Sequence, residues 1–156
     1  MSYVFDTAPL WTLFQNFYPR RFPTLWQNFD DLIAQGRIVS TREVSREIAN
    51  CPVERLRDWA DNNGEVFTVP IAVEGAFVAR IYGVPHFQQN IERQKLLKGG
   101  VLADPFVVAK AAAIEGTVVT MELAKENGAK IPNICNHFGV GCMHLEDFME
   151  AEGWTF

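Results

Sequence analysis

The chain alternates short apolar segments of strand character with longer segments of helical periodicity, and this alternation constrains its fold more than any other feature. The strand-like segments are residues 3–5 (YVF), 37–40 (RIVS), 117–120 (TVVT) and 141–144 (GCMH). Between them, apolar residues recur at helical spacing, and the helical patterns end at glycine or proline. Because such alternation is typical of parallel sheets covered by helices on both faces, we predict a three-layer α/β/α fold with a central, mostly parallel sheet.

The helical segments differ in how clearly their limits are marked. Asp104, followed by a proline, begins an alanine-rich helix that Gly116 ends. Residues 67–98 are predicted to be mostly helical, with interruptions at Gly75, Gly83 and Pro85. This part of the sequence gives no strand pattern.

Composition narrows the class of protein. A chain of 156 residues, 48% of them hydrophobic, builds one ordinary core, so we expect one domain over residues 1–156. No segment has the apolar length of a membrane span or the layout of a secretory signal, so we expect a cytoplasmic protein without a membrane partner. The net charge of -5 argues against nucleic-acid binding through a broad basic surface.

Acidic residues recur where predicted strands end. Asp6 follows the first strand, Glu43 and Glu47 lie on the helix after the second, and Glu122 follows the TVVT strand, while Asp104 begins its helix. Taken singly, each acid is better explained as a helix cap or a surface charge. Together they indicate convergence, because the carboxyl ends of parallel strands meet at one edge of a sheet.

A cluster of carboxylates implies a cation. Neighbouring carboxylates repel one another, and a bound cation relieves the repulsion. Oxygen-only ligands suit hard divalent ions that also bind phosphates, so Mg²⁺ or Mn²⁺ is the expected cofactor. Such a metal would also offset the acidic net charge toward a nucleic acid.

Four segments resemble the motifs of the PIN-domain family of metal-dependent nucleases. YVFDT is similar to its first strand and first catalytic aspartate, VSTREVSREI to its second acidic segment, ADPFVVAKA to its third, and VVTME to its fourth. The resemblance covers nearly the whole chain. In addition, FPTLW, KIPNIC and the closing EGWTF are similar to a PIN-like subfamily of short prokaryotic proteins related to VapC-type toxin ribonucleases.

The resemblance implies a function and a set of site residues. It implies a Mg²⁺- or Mn²⁺-dependent endoribonuclease, the toxin of a type II toxin–antitoxin pair, with an RNA substrate, a cognate antitoxin protein and a homodimeric state. The carried-over metal ligands are Asp6, Glu47, Asp104 and Glu122, with Thr120 hydrogen-bonded to them. Glu43 competes with Glu47 for the second ligand position, because both lie on one face of the same helix.

Two departures from the family pattern leave a second hypothesis open. Many relatives carry Asn or Ser two residues after the first aspartate, where this chain has Ala8. The fourth acid is Glu122, where Asp is common in the family. Since groups that hydrogen-bond to metal ligands affect metal affinity strongly, a catalytically inactive PIN-like binding or scaffold module is the alternative.

Three further patterns have ordinary explanations. One set of residues could bind zinc, but its spacing does not match the usual motifs; it consists of Cys135, His137, Cys142 and His144. Basic residues that could contact RNA are more simply solvated charges; they are Arg20, Arg21, Arg37, Arg93, Lys95 and Lys98. Aromatic residues on the early helices are expected to pack in the core or at a dimer contact; they are Trp11, Phe14, Phe17, Trp26 and Phe29.

Overall fold

A sheet of five parallel strands lies at the centre of the molecule in the order β3-β2-β1-β4-β5. The computed structural model describes residues 1–97, 100 and 102–156. The strands are β1 (Tyr3–Phe5), β2 (Ile38–Thr41), β3 (Phe67–Thr68), β4 (Thr117–Thr120) and β5 (Gly141–His144). The prediction of an α/β fold with a parallel sheet is confirmed.

Helices connect all of these strands. They are α1 (Thr7–Asn16), α2 (Pro23–Ala34), α3 (Arg42–Ile48), α4 (Glu54–Asn62), α5 (Ala72–Tyr82), α6 (Pro85–Leu97), α7 (Asp104–Ile114), α8 (Ile131–Phe138) and α9 (Leu145–Ala151). Proline occupies the first turn of α2, α7 and α8, where its missing N–H costs nothing. In the part of the chain that the structure describes, no helix has the length and apolar character needed to cross a bilayer.

Helices cover both faces of the sheet. Tyr3 and Phe5 point to one face, where their rings meet the edge of the Phe148 ring of α9 at centroid distances of 4.7 and 5.0 Å. Val4 lies between them and is fully buried, so it points to the other face. There α7 contacts β1, β2 and β4. The three-layer arrangement follows from this alternation.

The aromatic residues of the early helices form part of the core, as predicted. Phe14 of α1 contacts Trp26 of α2 and Trp59 of α4, with ring centroids 4.7 and 5.3 Å apart, and Phe29 is fully buried beside them. The Arg55 guanidinium lies over the Phe14 and Trp26 rings and donates to the carbonyl of Phe14. These rings tie α1, α2 and α4 together on one side of the sheet.

The structure differs from the prediction in the middle of the chain. Strand β3 was not predicted, because two residues carry no readable pattern; it forms where Phe67 and Thr68 pair with Ser40 and Thr41 of β2. The predicted interruption at Gly75 is wrong, since α5 continues through it. A single helical glycine costs only about 1 kcal/mol relative to alanine, which packing of the helix offsets.

The strand order reverses direction between β1 and β4. From β1 the chain proceeds to β2 and β3 on one side, then returns to place β4 and β5 on the other side of β1. In open parallel sheets, a crevice forms at such a reversal, beyond the carboxyl ends of the two strands. The ends of β1 and β4 at Phe5 and Thr120 therefore mark the expected position of a site.

Candidate metal centre

Three carboxylates meet beyond the carboxyl ends of β1 and β4. Asp6 directly follows β1, Glu122 lies two residues after β4, and Asp104 is the first residue of α7. One oxygen from each of the three lies within 4.8 Å of the others. Asp6 and Asp104 are only 5% and 3% exposed, whereas Glu122 is half-buried. We call these three residues the acid trio.

Asp6 is not held in place as a helix cap. It occupies the N-cap position of α1, but its side chain makes no capping hydrogen bond to that helix. Pro9 is the third residue of α1 and has no N–H to offer to a cap. Asp104 lies inside the first turn of α7, whose N-cap is Ala103. The capping explanation therefore does not account for either aspartate.

Thr120 connects two members of the acid trio. Its Oγ1 accepts a hydrogen bond from the backbone N–H of Glu122 at 3.1 Å and donates to Oδ2 of Asp6 at 3.3 Å. Because the amide already occupies one side of the oxygen, the hydroxyl hydrogen is directed at Asp6. Thr120 is fully buried at the end of β4. It lies where the sequence predicted a hydrogen-bonding partner of the acids.

The Glu122 carboxylate is anchored at the start of α8. Its Oε2 accepts a hydrogen bond from the backbone N–H of Ile131 at 2.8 Å. This N–H belongs to the first turn of the helix, where backbone donors have no partner within the helix. The Glu122 side chain thus reaches both the first turn of α8 and the other two carboxylates.

Glu47 borders the acid trio. Its Oε1 accepts a hydrogen bond from Thr7 Oγ1 at 2.5 Å, and its Oε2 accepts one from the backbone N–H of Ala103 at 3.2 Å. Thr7 directly follows Asp6, and Ala103 directly precedes Asp104 in the sequence. Both contacts place the Glu47 carboxylate beside the two aspartates.

Glu43 has a different environment. It lies in the first turn of α3, is 6% exposed and pairs through Oε1 with Arg42 at 3.0 Å. Thr41 caps the same helix by accepting from the backbone N–H of Val44 at 3.4 Å. Of the two candidates for the second acid, Glu47 has the contacts that lead to the acid trio.

Two polar residues near this edge were missed in the sequence. Thr7 orients Glu47, and the available signal was its position directly after Asp6. Glu74 of α5 is 2% exposed and accepts from the backbone N–H of Ile71 at 3.2 Å. Its place in the first turn of a helix that begins near the carboxyl end of β3 was the corresponding signal, but the unrecognised strand concealed it.

The four residues weighed as zinc ligands do not gather into a metal-binding group in the described ranges 1–97, 100 and 102–156. Cys135 and Cys142 face each other instead. Their hydrogen bond and burial raise the pKa of the Cys135 thiol, and the same hydrogen bond lowers the pKa of the Cys142 thiol against the opposing effects of burial and the carboxylates of Glu122 and Asp6. His137 stacks edge-on against Phe87 and Phe138.

The basic residues weighed as RNA contacts are scattered. Arg37 precedes β2 and pairs with Glu152 at 2.7 Å, at the amino end of the sheet and away from the acid trio. Arg20, Arg21 and Arg93 are exposed. Lys95 lies near the Tyr82 ring and Glu92. Lys98 lies outside the described residues. Arg37 is therefore excluded as a contact of a substrate bound at the trio.

The donor set of the acid trio suits a divalent metal ion. All three ligands are carboxylates, and two of them are almost completely buried. Hard cations such as Mg²⁺ and Mn²⁺ prefer oxygen ligands of this kind. The trio could therefore hold a metal ion, with Thr120 hydrogen-bonded to Asp6 and Glu122 and with Glu47 beside the two aspartates.

The sequence as a whole matches a known family. The family described as "Domain of unknown function (DUF4411)" matches residues 3–156. The chain belongs to the DUF4411 family. Among curated proteins, none matches this DUF4411 chain significantly.

One similar solved structure is that of VapBC2 from Rickettsia felis bound to a DNA fragment from their promoter. It is 13% identical to the DUF4411 chain, with a TM-score of 0.49, over 92% of this chain and 98% of that chain. At this level of similarity, no activity and no residue role transfers to the DUF4411 protein.

Proposed function

We propose that this DUF4411 protein is a metal-dependent endoribonuclease that hydrolyses RNA phosphodiesters, and that it is the toxin of a type II toxin–antitoxin pair. The observation that carries the nuclease proposal is the convergence of Asp6, Asp104 and Glu122 at the reversal of the strand order. The sequence resemblance to PIN-domain toxins supplies the RNA substrate and the biological setting.

The acid trio and Glu47 would hold Mg²⁺ or Mn²⁺. A divalent ion bound there supplies charge stabilisation of the phosphate and activation of water for attack on phosphorus. Thr120 keeps the Asp6 carboxylate oriented, and Thr7 keeps Glu47 beside it. Burial of the two aspartates shields them from water, which strengthens their interaction with a cation.

The proposal extends to the partners and the setting of the protein. It assigns the activity to one PIN-like domain over residues 1–156 of a cytoplasmic protein. It includes a cognate antitoxin that covers the acidic edge, and a homodimeric state. These partners derive from the family resemblance.

The inactive-scaffold alternative is less well supported by the side-chain contacts. That alternative was based on Ala8, because many PIN-domain proteins carry Asn or Ser two residues after their first aspartate. Thr120 still orients Asp6 from β4, because its hydroxyl donates to the Asp6 carboxylate. Hydrogen-bonding partners that orient buried acids favour a functional metal site over an inactive one.

The decisive experiment pairs metal-dependent melting with RNA cleavage. We expect millimolar Mg²⁺ or Mn²⁺ to raise the melting temperature of the wild-type protein, since a ligand at 100 times its dissociation constant stabilises by about 2.7 kcal/mol. Asp104→Asn should remove both the shift and metal-dependent cleavage of total RNA. Asp58→Asn changes the same charge on α4, at an exposed position, and should keep both.

The outcomes separate the two hypotheses. A metal-induced shift without cleavage of any RNA would favour a metal-binding scaffold. Equal melting temperatures with and without metal, together with no cleavage by the protein purified free of partners, would rule out the nuclease.

A further inference from the structure

A cavity opens directly beside the acid trio. It has a volume of about 390 Å³ and lies where α8, β5 and α9 meet next to Glu122. Its lining is mixed: Pro132, Val140 and Met143 supply apolar surface, and three polar side chains from three different elements face the same space. Because Glu122 belongs to both the acid trio and the lining of the cavity, a phosphate bound at the trio would lie next to the cavity.

The three polar side chains of the cavity differ in chemistry. They are Asn136 of α8, His144 at the end of β5 and Asp147 of α9. The Asp147 carboxylate is oriented by one of its oxygens, Oδ2, which accepts from the backbone N–H of His144 at 3.1 Å. Asn136 and Asp147 are exposed to solvent, so a dissolved ligand can reach them.

A second cavity lies on the far side of Asn136. It has a volume of about 520 Å³ and is lined by His86, Phe87, Asn133 and His137 as well as by Asn136 itself. The rings of Phe87 and His137 meet edge to face at 5.3 Å. The shared residue makes the two cavities consecutive on a path that leads away from Glu122 across α8.

We propose that this path binds single-stranded RNA next to the scissile phosphate. The cavity beside Glu122 would take the base nearest to that phosphate and select guanine there. This inference rests on the proposed nuclease function. Single-stranded RNA is read by pockets that surround an unpaired base with apolar or ring surfaces and reach its Watson–Crick edge with hydrogen-bonding side chains. The first cavity has both kinds of surface.

The side chains favour guanine over the other bases. Guanine presents two neighbouring N–H donors, at N1 and at the exocyclic amine, which match an acceptor-only carboxylate such as Asp147. It also presents the O6 acceptor, which matches the amide N–H₂ of Asn136. The same carboxylate repels phosphate, so the cavity suits the base of a nucleotide and not its backbone.

The first test is the sequence profile of cleavage on a random single-stranded RNA pool. We expect the wild-type protein to show guanine at one fixed position beside the cut. Asp147→Asn keeps an oxygen that can accept from His144 but loses the charge, and it should reduce the preference for guanine about ten-fold. Asn136→Ala should weaken it as well. Asp58→Asn, the same change at a cavity of about 420 Å³ between α3 and α4, should leave the profile unchanged.

The second test measures binding without cleavage. In an Asp104→Asn background, fluorescence polarisation compares oligonucleotides that carry guanine with matched ones that carry inosine, which lacks the exocyclic amine. We expect tighter binding of guanine, and we expect Asp147→Asn to abolish the difference. Discrimination seen here supports the guanine cavity even if the wild-type protein cleaves no RNA, a result that would defeat only the nuclease proposal.

Two results would overturn the inference. One is RNA cleavage by the wild-type protein with no base preference beside the cut. The other is a guanine preference that survives Asp147→Asn and Asn136→Ala unchanged. Either result leaves the proposed nuclease function in place, because the acid trio is intact in the wild-type protein and in the single variants Asp147→Asn and Asn136→Ala.

Discussion

The two ends of the parallel sheet differ in the surroundings that they give to acidic residues. At the amino end, Glu152 is matched by donors: the Tyr3 hydroxyl donates to it at 2.5 Å and the Arg37 guanidinium at 2.7 Å. At the carboxyl end, the backbone brings three carboxylates together, with one oxygen of each within 4.8 Å of the others; they belong to Asp6, Asp104 and Glu122. The amino end pairs one acid with a basic residue, and the carboxyl end places three acids close together.

This difference separates stability from binding. Burial would raise the pKa of Glu152, but the hydrogen bonds from Tyr3 and Arg37 and the charge of Arg37 lower it overall, so the folded state favours the charged carboxylate. At the carboxyl end, carboxylates of like charge repel one another, and a bound cation relieves this repulsion. We infer that the amino end contributes to folding and that the carboxyl end is arranged for a ligand.

Among variants that leave the acid trio unchanged, the largest effect should come from changing Glu47 at the carboxyl end. Glu47→Gln keeps the size of the side chain but removes the charge beside the two aspartates. We expect metal-dependent RNA cleavage to fall by at least about 10- to 100-fold, which is the typical loss when a group that only orients metal ligands is removed. Initial cleavage rates at saturating Mg²⁺ measure this effect.

Glu43→Gln is the matched control for that prediction. It lies one turn away on the same helix and pairs with Arg42, so we expect its cleavage rate to stay within a few-fold of the wild-type rate. If Glu43→Gln lost activity and Glu47→Gln kept it, the assignment of the second acid would be reversed.

Much of the carboxyl end could be predicted from the sequence. Parallel strands fix which residues share an edge, so acids placed within two residues of strand ends, such as Asp6 and Glu122, were expected to lie near one another. The same rule applied to Arg37 places it at the opposite edge, because it precedes β2. Its inclusion among RNA contacts overlooked a consequence of the predicted fold.

Other features could not be predicted, for identifiable physical reasons. Glu43 and Glu47 share a helix face, so helical spacing does not separate them. The resemblance favoured Glu47, but its contacts with Thr7 and Ala103 depend on the tertiary fold. Strand β3 has two residues, and its pairing with β2 creates it. The cavity beside Glu122 combines residues from three elements, and sequence spacing carries no information about that junction.

A moderate effect should come from breaking the amino end at Glu152. Glu152→Gln removes the carboxylate charge to which Arg37 and Tyr3 donate, and we expect the free energy of unfolding to fall. The loss should be only about 1–2 kcal/mol, because the ion pair is partly exposed to solvent. Urea denaturation measures this loss. RNA cleavage at a temperature where the variant is folded should match that of the wild-type protein; a large loss of activity there would contradict the separation of the two ends.

The smallest effect at neutral pH, and the sharpest in its pH dependence, should come from Tyr3→Phe. Burial and the hydrogen bond and charge of Glu152 raise the pKa of Tyr3 from 10.0 to about 12. The folded state therefore keeps this proton while the unfolded chain loses it, so the contribution of Tyr3 is complete below pH 10 and is lost as the pH rises toward 12. The slope from this one group approaches about 1.4 kcal/mol per pH unit.

Tyr3→Phe keeps the ring contact with Phe148 and should show a shallower loss of stability than the wild-type protein between pH 10 and 12. Tyr18→Phe, at a side chain that is 63% exposed, is the control and should follow the wild-type curve. Urea denaturation at each pH gives the two slopes. Identical slopes for Tyr3→Phe and the wild-type protein would mean that the Tyr3 proton is held no more tightly in the folded chain than in the unfolded one, and the amino end would then lose its assigned role in stability.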